Sequence, residues 1–420
     1  MKFIKHKLGE LLRITRGASL PGTGYADEGR YLRLTLANFH EEGGFKDFKS
    51  TQGKYFIEPF DSRFIMHKGD LITPLTEQSP GLLGSVAFIP CDDLYIQSQD
   101  VGLITCNAEK LDKTFAYYLF LTHSVREQIS ARSQQTKIRH TSPDKIADVE
   151  VHIPNMPTQL RIAGVLGSID EKIELNRKKI AELEALAKTI YDYWFVQFDF
   201  PDKNGKPYKS SGGKMVWNEL LKREVPEGWG VKALGDIESS IITGKTPSTT
   251  DDENFGGDIP FITIDDLRGH IYTYSSERSL SSKGANSQRG KFIPENSLCV
   301  SCIGTVGVIA FNAFRSQTNQ QINTIVFSKD FNREFLYFFL TRYFSKATVK
   351  TGNTFSNMNK GEFAAIQCLV PCKISLTQFH NLAMPIFEQI SVCEYQKRML
   401  TNARDCLLPL LMNGQVEVAG

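Results

Sequence analysis

Residues 159–195 read QLRIAGVLGSIDEKIELNRKKIAELEALAKTIYDYWF. Within them Ile162, Leu166, Ile169, Ile173, Asn176, Ile180, Leu183, Ala187, Ile190 and Trp194 recur at alternating steps of four and three. This is an unbroken heptad seam, and the intervening positions are mostly charged or small. At ~1.5 Å per residue the helix runs roughly 50 Å. A single-sided seam of that length needs a partner, either a second copy of the chain or another seam within it.

The remainder of the 420 residues suggests two or three domains, at ~100–200 residues each. A formal charge of +2 gives no global basic field, so nucleic-acid binding has to come from local patches. Eight scattered cysteines read as small buried hydrophobes in a reducing cytosol, which makes a cytoplasmic location the expectation. The opening MKFIKHKLGELLRITRG has no apolar run of signal-peptide length, and no stretch of ~18 apolar residues marks a membrane span.

Read in order, residues 1–155 alternate short apolar runs with Gly, Pro and Asp turns, and contain one expected helix, Thr114–Arg132. The seam helix occupies 156–197, and the polar, glycine-rich stretch 198–224 reads as a linker or exposed loop. A second globular region spans 225–375, and 376–420 forms a second helix with a tail. The second half echoes the first. Leu8-Gly9-Glu10 returns as Leu234-Gly235-Asp236, GDLITPL (69–75) as ENSLCVSCIG (295–304), and SQDVGLIT (98–105) as NQQINTIV (319–326). AYYLFLTH (116–123) returns as FLYFFLTR (335–342), and VHIPNMPTQL (151–160) as LVPCKISLTQF (369–379). Five echoes in one order define two copies of one unit.

The second copy supplies a second seam: Leu382, Ile386, Gln389, Cys393, Gln396, Leu400, Ala403, Leu407 and Leu410, with Pro385 near its start, where proline is tolerated. The expected fold is therefore α+β. Two similar mixed α/β domains are separated by two long helices forming an antiparallel coiled coil, with a pseudo-two-fold internal repeat. Asn176 and Gln396 fall at corresponding places; a buried polar pair there fixes register, and the alternative is that either faces water.

Catalytic signatures are missing. There is neither a glycine-rich cofactor loop nor an Asn/Asp-Pro-Pro-aromatic motif of an amino-methyltransferase. Thr243-Gly244-Lys245-Thr246 has Ser239 where a phosphate loop needs glycine. The acid pairs Asp92-Asp93, Asp251-Asp252 and Asp265-Asp266 read as caps and turns. Cys299, Cys302, Cys368 and Cys372 make a weak zinc pattern with no histidine nearby, so no metal is expected.

The whole chain resembles the specificity subunits of type I restriction-modification systems. KIELNRKKIAELEALAKTIYDYWFVQFDF resembles the central conserved region of that family, and NARDCLLPLLMNGQVEV (402–418) its distal one, where a Thr is usual at the place of Cys406. ITGKTPSTTDDENFGGDIPFITIDDL (242–267), SCIGTVGVIAF (301–311) and TNQQINTI (318–325) resemble a target-recognition domain. QQTKIRHTSPDKIADVEVHIP (134–154) and TGNTFSNMNKGEFAAIQCLVP (351–371) resemble its closing segment. The resemblance implies a non-catalytic subunit whose two target-recognition domains, 1–155 and 225–375, each read one half of an interrupted site in double-stranded DNA. The helices set the gap. Two methyltransferase subunits dock, translocase-nuclease subunits can join, and S-adenosylmethionine, ATP and Mg²⁺ belong to those partners. A stand-alone DNA-binding regulator and a self-sufficient modification enzyme are the alternatives.

DNA contact needs cations for phosphates and forked donors for base edges. Arg132, Gln134, Gln135, Lys137, Arg139 and His140 fall within nine residues without an acid, and Lys350, Asn353, Thr354 and Asn357 occupy the matching place of the second copy. Arg16, Lys54, Lys245, Thr246, Ser248, Gln288, Arg289 and Gln317 are further candidates. Tyr191, Tyr193, Trp194 and Phe195 either anchor a partner or pack on the adjacent domain.

Overall fold

A computed structural model describes residues 2–46, 55–78, 81–133, 139–351 and 357–418. The chain splits into two compact units, Met1–Glu171 with Thr401–Gly420, and Lys172–Leu400. Both boundaries fall inside long helices: the central helix, Met156–Tyr191, and the distal helix, Lys373–Met412.

In the first unit, β1 (Ile4–Lys7), β2 (Leu12–Arg16), β3 (Leu71–Pro74), β4 (Ala87–Phe88), β5 (Val101–Cys106) and β6 (Glu150–Ile153) form two sheets. One is the antiparallel ladder β1–β6, and the other has the order β2-β5-β3-β4. In the second unit, β7 (Gly230–Ala233), β8 (Ile241–Thr243), β9 (Leu298–Ser301), β10 (Ile309–Asn312), β11 (Ile322–Ile325) and β12 (Gln367–Val370) repeat the scheme. The ladder is β7–β12 and the sheet order is β8-β11-β9-β10, with Tyr272–Thr273 added beyond β10. All four residues of β9, β10 and β11 are buried, the polar Ser301, Asn312, Asn323 and Thr324 included, so these strands show no alternation of buried and exposed positions.

The echo of Leu-Gly-acid has a packing cause. A Cβ on Gly9 would lie 3.0 Å from the Ala147 Cβ, and one on Gly235 would lie 3.2 Å from the Ala364 Cβ. Each glycine lets the chain after the first strand pass against a short helix, Pro143–Ala147 or Lys360–Ala364. Ser142 caps the first of these, and a capping box of Asn359 and Glu362 starts the second. A further matched device escaped the sequence reading. In both units a short parallel strand pair precedes a capping box, Thr35 with Asn38 in one and Thr263 with Asp266 in the other.

Three expectations are corrected. The helix at 114–132 is two helices, Lys113–Leu121 and His123–Ala131; Thr122 between them is extended, and its hydroxyl donates to the Leu119 carbonyl. The stretch 198–224 is packed structure. Phe198 and Phe200 are buried against Trp229, and Met215–Asn218 pairs with Arg223–Pro226 as a hairpin. Its polar glycine-rich composition hides those two aromatics.

The third correction is the phase of the distal seam. The central seam holds: Ile162, Leu166, Ile173, Asn176, Ala187 and Trp194 are buried, and Ile169, Ile180, Leu183 and Ile190 are half-buried. Shifted by 217 residues, it lands on Phe379, Ala383, Ile386, Ile390, Cys393, Lys397, Leu400, Arg404, Leu407 and Leu411, all buried or half-buried. Ile386, Cys393, Leu400 and Leu407 were therefore placed correctly. Leu382, Gln389, Gln396 and Ala403 are exposed, and Leu410 sits beside the true position, Leu411. The true seam carries Lys397 and Arg404, which a search for apolar residues passes over; they are held by Glu394 at 2.7 Å and Asp170 at 3.1 Å. Asn176 accordingly matches Cys393, and the exposed Gln396 does not form the buried polar pair. Pro385 lies well inside the distal helix, at an exposed position.

In the first unit Ile162 and Leu166 share a core with Leu411 and Met412. In the second, Tyr191 and Trp194 pack on Phe379. The start of the central helix meets the end of the distal one in the first unit. Its end meets the distal start in the second, which is the sense of an antiparallel pair. Tyr191, Trp194 and Phe195 pack on their own domain through Phe335, Phe338 and Trp229, in part from a π-helical turn at Asp192–Val196; Tyr193 alone of the four is exposed. Of the described residues, no helix is long and apolar enough to cross a membrane.

Candidate nucleic-acid interface

In each unit the same end of the larger sheet gathers loops. In the second unit β8 ends at Thr243, β9 ends at Ser301 and β11 begins at Ile322, so the loops 244–248, 302–308 and 319–321 meet there. The Gly244 N–H donates to the Ile322 carbonyl at 3.0 Å, and the Lys245 N–H to the Thr318 carbonyl at 2.9 Å. A Cβ on Gly244 would lie 2.1 Å from the Asn319 carbonyl oxygen, so only glycine lets these strands cross. The Cys302 N–H donates to the Gln321 carbonyl, and Ile303 bridges to Asn357, which brings Asn357 to the same end.

The surface of this end is polar. Lys245, Ser248, Gln320 and Asn357 are exposed. Thr246 donates to the Gln320 side chain at 2.6 Å, and Arg268 donates to Thr305 at 2.8 Å. Asn319 and Gln321 hydrogen-bond to each other at 2.9 Å. Beneath it lies an amide lock. Gln288 donates to the Lys245 carbonyl and to the Gln317 side chain, both at 2.7 Å, and Gln317 donates to the Ala285 carbonyl at 2.9 Å. Gln288 and Gln317 are thus buried, and their expected place on an exposed loop is corrected. They hold the Lys245 loop from below. Arg289 is exposed and donates to Asn286 at 3.0 Å.

The first unit repeats the geometry. β2 ends at the exposed Arg16 and is followed by Gly17, where a Cβ would lie 2.3 Å from the Ser98 carbonyl oxygen. Gln97, buried, donates to the carbonyls of Thr15 at 2.7 Å and Val101 at 2.9 Å. Arg139-His140 pairs with Glu77-Thr76 just beyond β3. Gly17 and Gly244 therefore mark one backbone crossing made twice.

The segment around Arg139 is acid-free in sequence but not in space. Arg139 pairs with the buried Glu77 at 2.8 Å and donates to the Ser130 carbonyl and to the hydroxyls of Ser130 and Ser133. Arg132 donates to Gln128. Both arginines line a cavity of about 1010 Å³ that Glu41 and Glu42 also face. Arg139 is thereby a structural cation, and the expectation that it is free for DNA is corrected; His140 is exposed. Lys54, Gln134, Gln135, Lys137, Asn353 and Thr354 lie outside the described residues, and Lys350 is placed only by its position on the 333–351 helix.

The acid pairs serve as caps and turns. Asp266 completes the capping box with Thr263, Asp251 accepts from the Glu253 N–H, and Asp92 from the Lys68 N–H. Lys283 is ion-paired with both Asp251 and Glu253, which push its ammonium up to about 12. Among the described residues no three His, Cys, Asp or Glu side chains converge as metal ligands would. Cys299 and Cys302 are buried in and beside β9, and burial raises their thiols to about 12 and about 11.

A family profile, the type I restriction modification DNA specificity domain, matches residues 2–185 and 226–374. The specificity subunit of the type I restriction enzyme HindI of Haemophilus influenzae is 30% identical over 413 residues, covering 85% of this chain and 89% of the relative. The MjaIX specificity subunit of Methanocaldococcus jannaschii is 25% identical over 312 residues, covering 72% and 69%. The crystal structure of a type I restriction-modification S subunit from M. genitalium has a similar fold, with a TM-score of 0.59 at 15% identity over 98% of this chain and 96% of that one.

Proposed function

The chain belongs to the type I restriction-modification DNA specificity family, and from that premise we propose that it reads a two-part site in double-stranded DNA, one half per domain. The observation that carries this is the repeated sheet end, built twice around the Gly17 and Gly244 crossings. Each end offers exposed polar groups on loops held by a rigid sheet, as base readout requires. Among the described residues, Arg16 and His140 are the candidates for DNA contact at the first end, and Lys245, Thr246, Ser248, Arg289 and Asn357 at the second.

The two helices act as a spacer, and methyltransferase subunits dock on the chain, with translocase-nuclease subunits completing a restriction complex. The chain supplies recognition and no chemistry. S-adenosylmethionine, ATP and Mg²⁺ act in the partners. Titrating S-adenosylmethionine and DNA into the pure chain should give no methyl transfer; transfer by the chain alone would sink the reading. Together with a methyltransferase subunit it should direct methylation to one interrupted motif.

A further inference from the structure

Each domain is fastened to the long helices at the same place, but by different chemistry. Tyr118 and Tyr337 occupy matched positions of the echo 116–123 and 335–342, and both are buried. In the first unit the Tyr118 hydroxyl donates to Asp170 Oδ2 at 2.6 Å. Asp170 lies on the central helix, and its Oδ1 accepts from Arg404 of the distal helix at 3.1 Å. One carboxylate thus ties the first domain to both helices. The Asp170 side chain is 28% exposed and that of Arg404 18%, so water reaches the tie.

In the second unit, the shift of 217 residues puts Phe387 at the place of Asp170 and Ala187 at the place of Arg404. Both are buried, and the Tyr337 ring packs edge-on against Phe387 with centroids 5.5 Å apart. The Tyr337 hydroxyl reaches Glu184 only at 3.4 Å. A strap reinforces this core. The His270 ring meets the Glu394 carboxylate at 3.1 Å, the Tyr274 and Ser391 hydroxyls hydrogen-bond at 2.5 Å, and Arg398 donates to the Tyr274 carbonyl. Outside the core around Ile162 and Leu166, the first domain is therefore held by a half-buried polar tie, and the second by packed rings and a strap.

A charge-assisted tie of this kind is strong but short-ranged. One base pair more or less between two half-sites moves one of them by about 3.4 Å and turns it by roughly 35°. The Tyr118–Asp170 bond, at 2.6 Å, is lost beyond about 3.5 Å, so it breaks well before the first domain can follow such a shift. We propose that Tyr118, Asp170 and Arg404 are positioning residues that make the gap strict. They hold the first domain at one angle on the helices, so that sites whose halves lie one base pair too near or too far are rejected. This rests on the reading of the chain as one that recognises two half-sites.

The test maps methylated adenines in cells carrying the full chain with a methyltransferase subunit. It compares methylation at the native gap with that at gaps one base pair shorter and longer. Tyr118→Phe and Asp170→Asn should each raise the off-gap share at least tenfold, with both half-sites unchanged. Ser391→Ala, which cuts the strap of the second domain, should leave that share at the wild-type value. If melting shows Asp170→Asn to be unfolded, Tyr118→Phe, which removes a single oxygen, carries the test. Folded variants that methylate less at an unchanged off-gap share would make the tie merely structural and overturn the proposal, leaving the two-part reading intact. Equal loosening by Ser391→Ala would overturn the assignment to the first domain. A wild type that yields no interrupted motif would overturn the two-part reading itself.

Discussion

Glu77 is buried, with its two carboxylate oxygens doing different work. Oε1 faces Arg139, and Oε2 accepts the N–H groups of Gly81, Leu82 and Leu83 at 2.8–3.1 Å. The pair therefore shapes the loop at the end of β3. Replacing Arg139 with Gln strands the carboxylate, and should cost the first unit about 3–5 kcal/mol in denaturant unfolding. The salt slope of DNA binding should stay at the wild-type value, whereas a lost phosphate contact would lower it by about 1. Arg139 stood out in the sequence as a cation among polar residues. Glu77, 62 positions earlier, could not, because only the short β-pairing of 139–140 with 76–77 brings them together. Gly244→Ala is the sharper residue-scale test of the second end. Its Cβ would press on backbone carbonyls, so reading of one half-site should weaken at least tenfold while the other is read normally, as measured on half-site variants of the DNA.

At the scale of elements, the central seam was legible because its apolar spacing is uninterrupted, and the distal seam was half legible because charges interrupt it. Glu394, Lys397 and Arg404 occupy or flank seam positions and are satisfied by specific partners. The phase makes a direct prediction: Ala383→Asp, in the core, should cost about 3 kcal/mol or more, and Ala403→Asp, on the exposed face, within about 0.5 kcal/mol. Placing both in the core phase of the sequence reading would make Ala403 the costly one. Glu394 adds a pH dependence. Burial raises its carboxyl, but His270 and Lys397 outweigh that and hold it below the usual range. A depressed folded value stabilises above the unfolded pKa and is lost as pH falls through the folded one. Glu394→Gln should therefore lower stability at pH 7 by about 1–3 kcal/mol, with the gap to wild type closing in acid. A gap that widens in acid would reverse the assignment.

For the molecule as a whole, the repeat was readable from five echoes, and the paired strand orders β2-β5-β3-β4 and β8-β11-β9-β10 give it a structural meaning. The loop-bearing sheet ends were only partly readable. Lys245 and Arg16 stood out as candidates by charge, but Gly17 drew no notice and Gly244 was weighed only as part of a phosphate-loop pattern. Glycine after a strand is common, and its close backbone approach exists only in three dimensions. Gln288 and Gln317 were misjudged for the same reason: an amide that reads a base and an amide that locks a loop are identical in sequence.

The central claim is that two sheet ends read two half-sites across a gap set by the helices. It is tested most directly by mapping methylated adenines in cells carrying this chain with matched seven-residue insertions, one in the central helix at 181–186 and one 217 residues later in the distal helix. Seven residues add two turns and keep both seams in phase, lengthening each helix by ~10 Å. The account predicts both half-sites unchanged and the gap between them wider by up to about three base pairs, at 3.4 Å each. Altered half-sites at the original gap would contradict it.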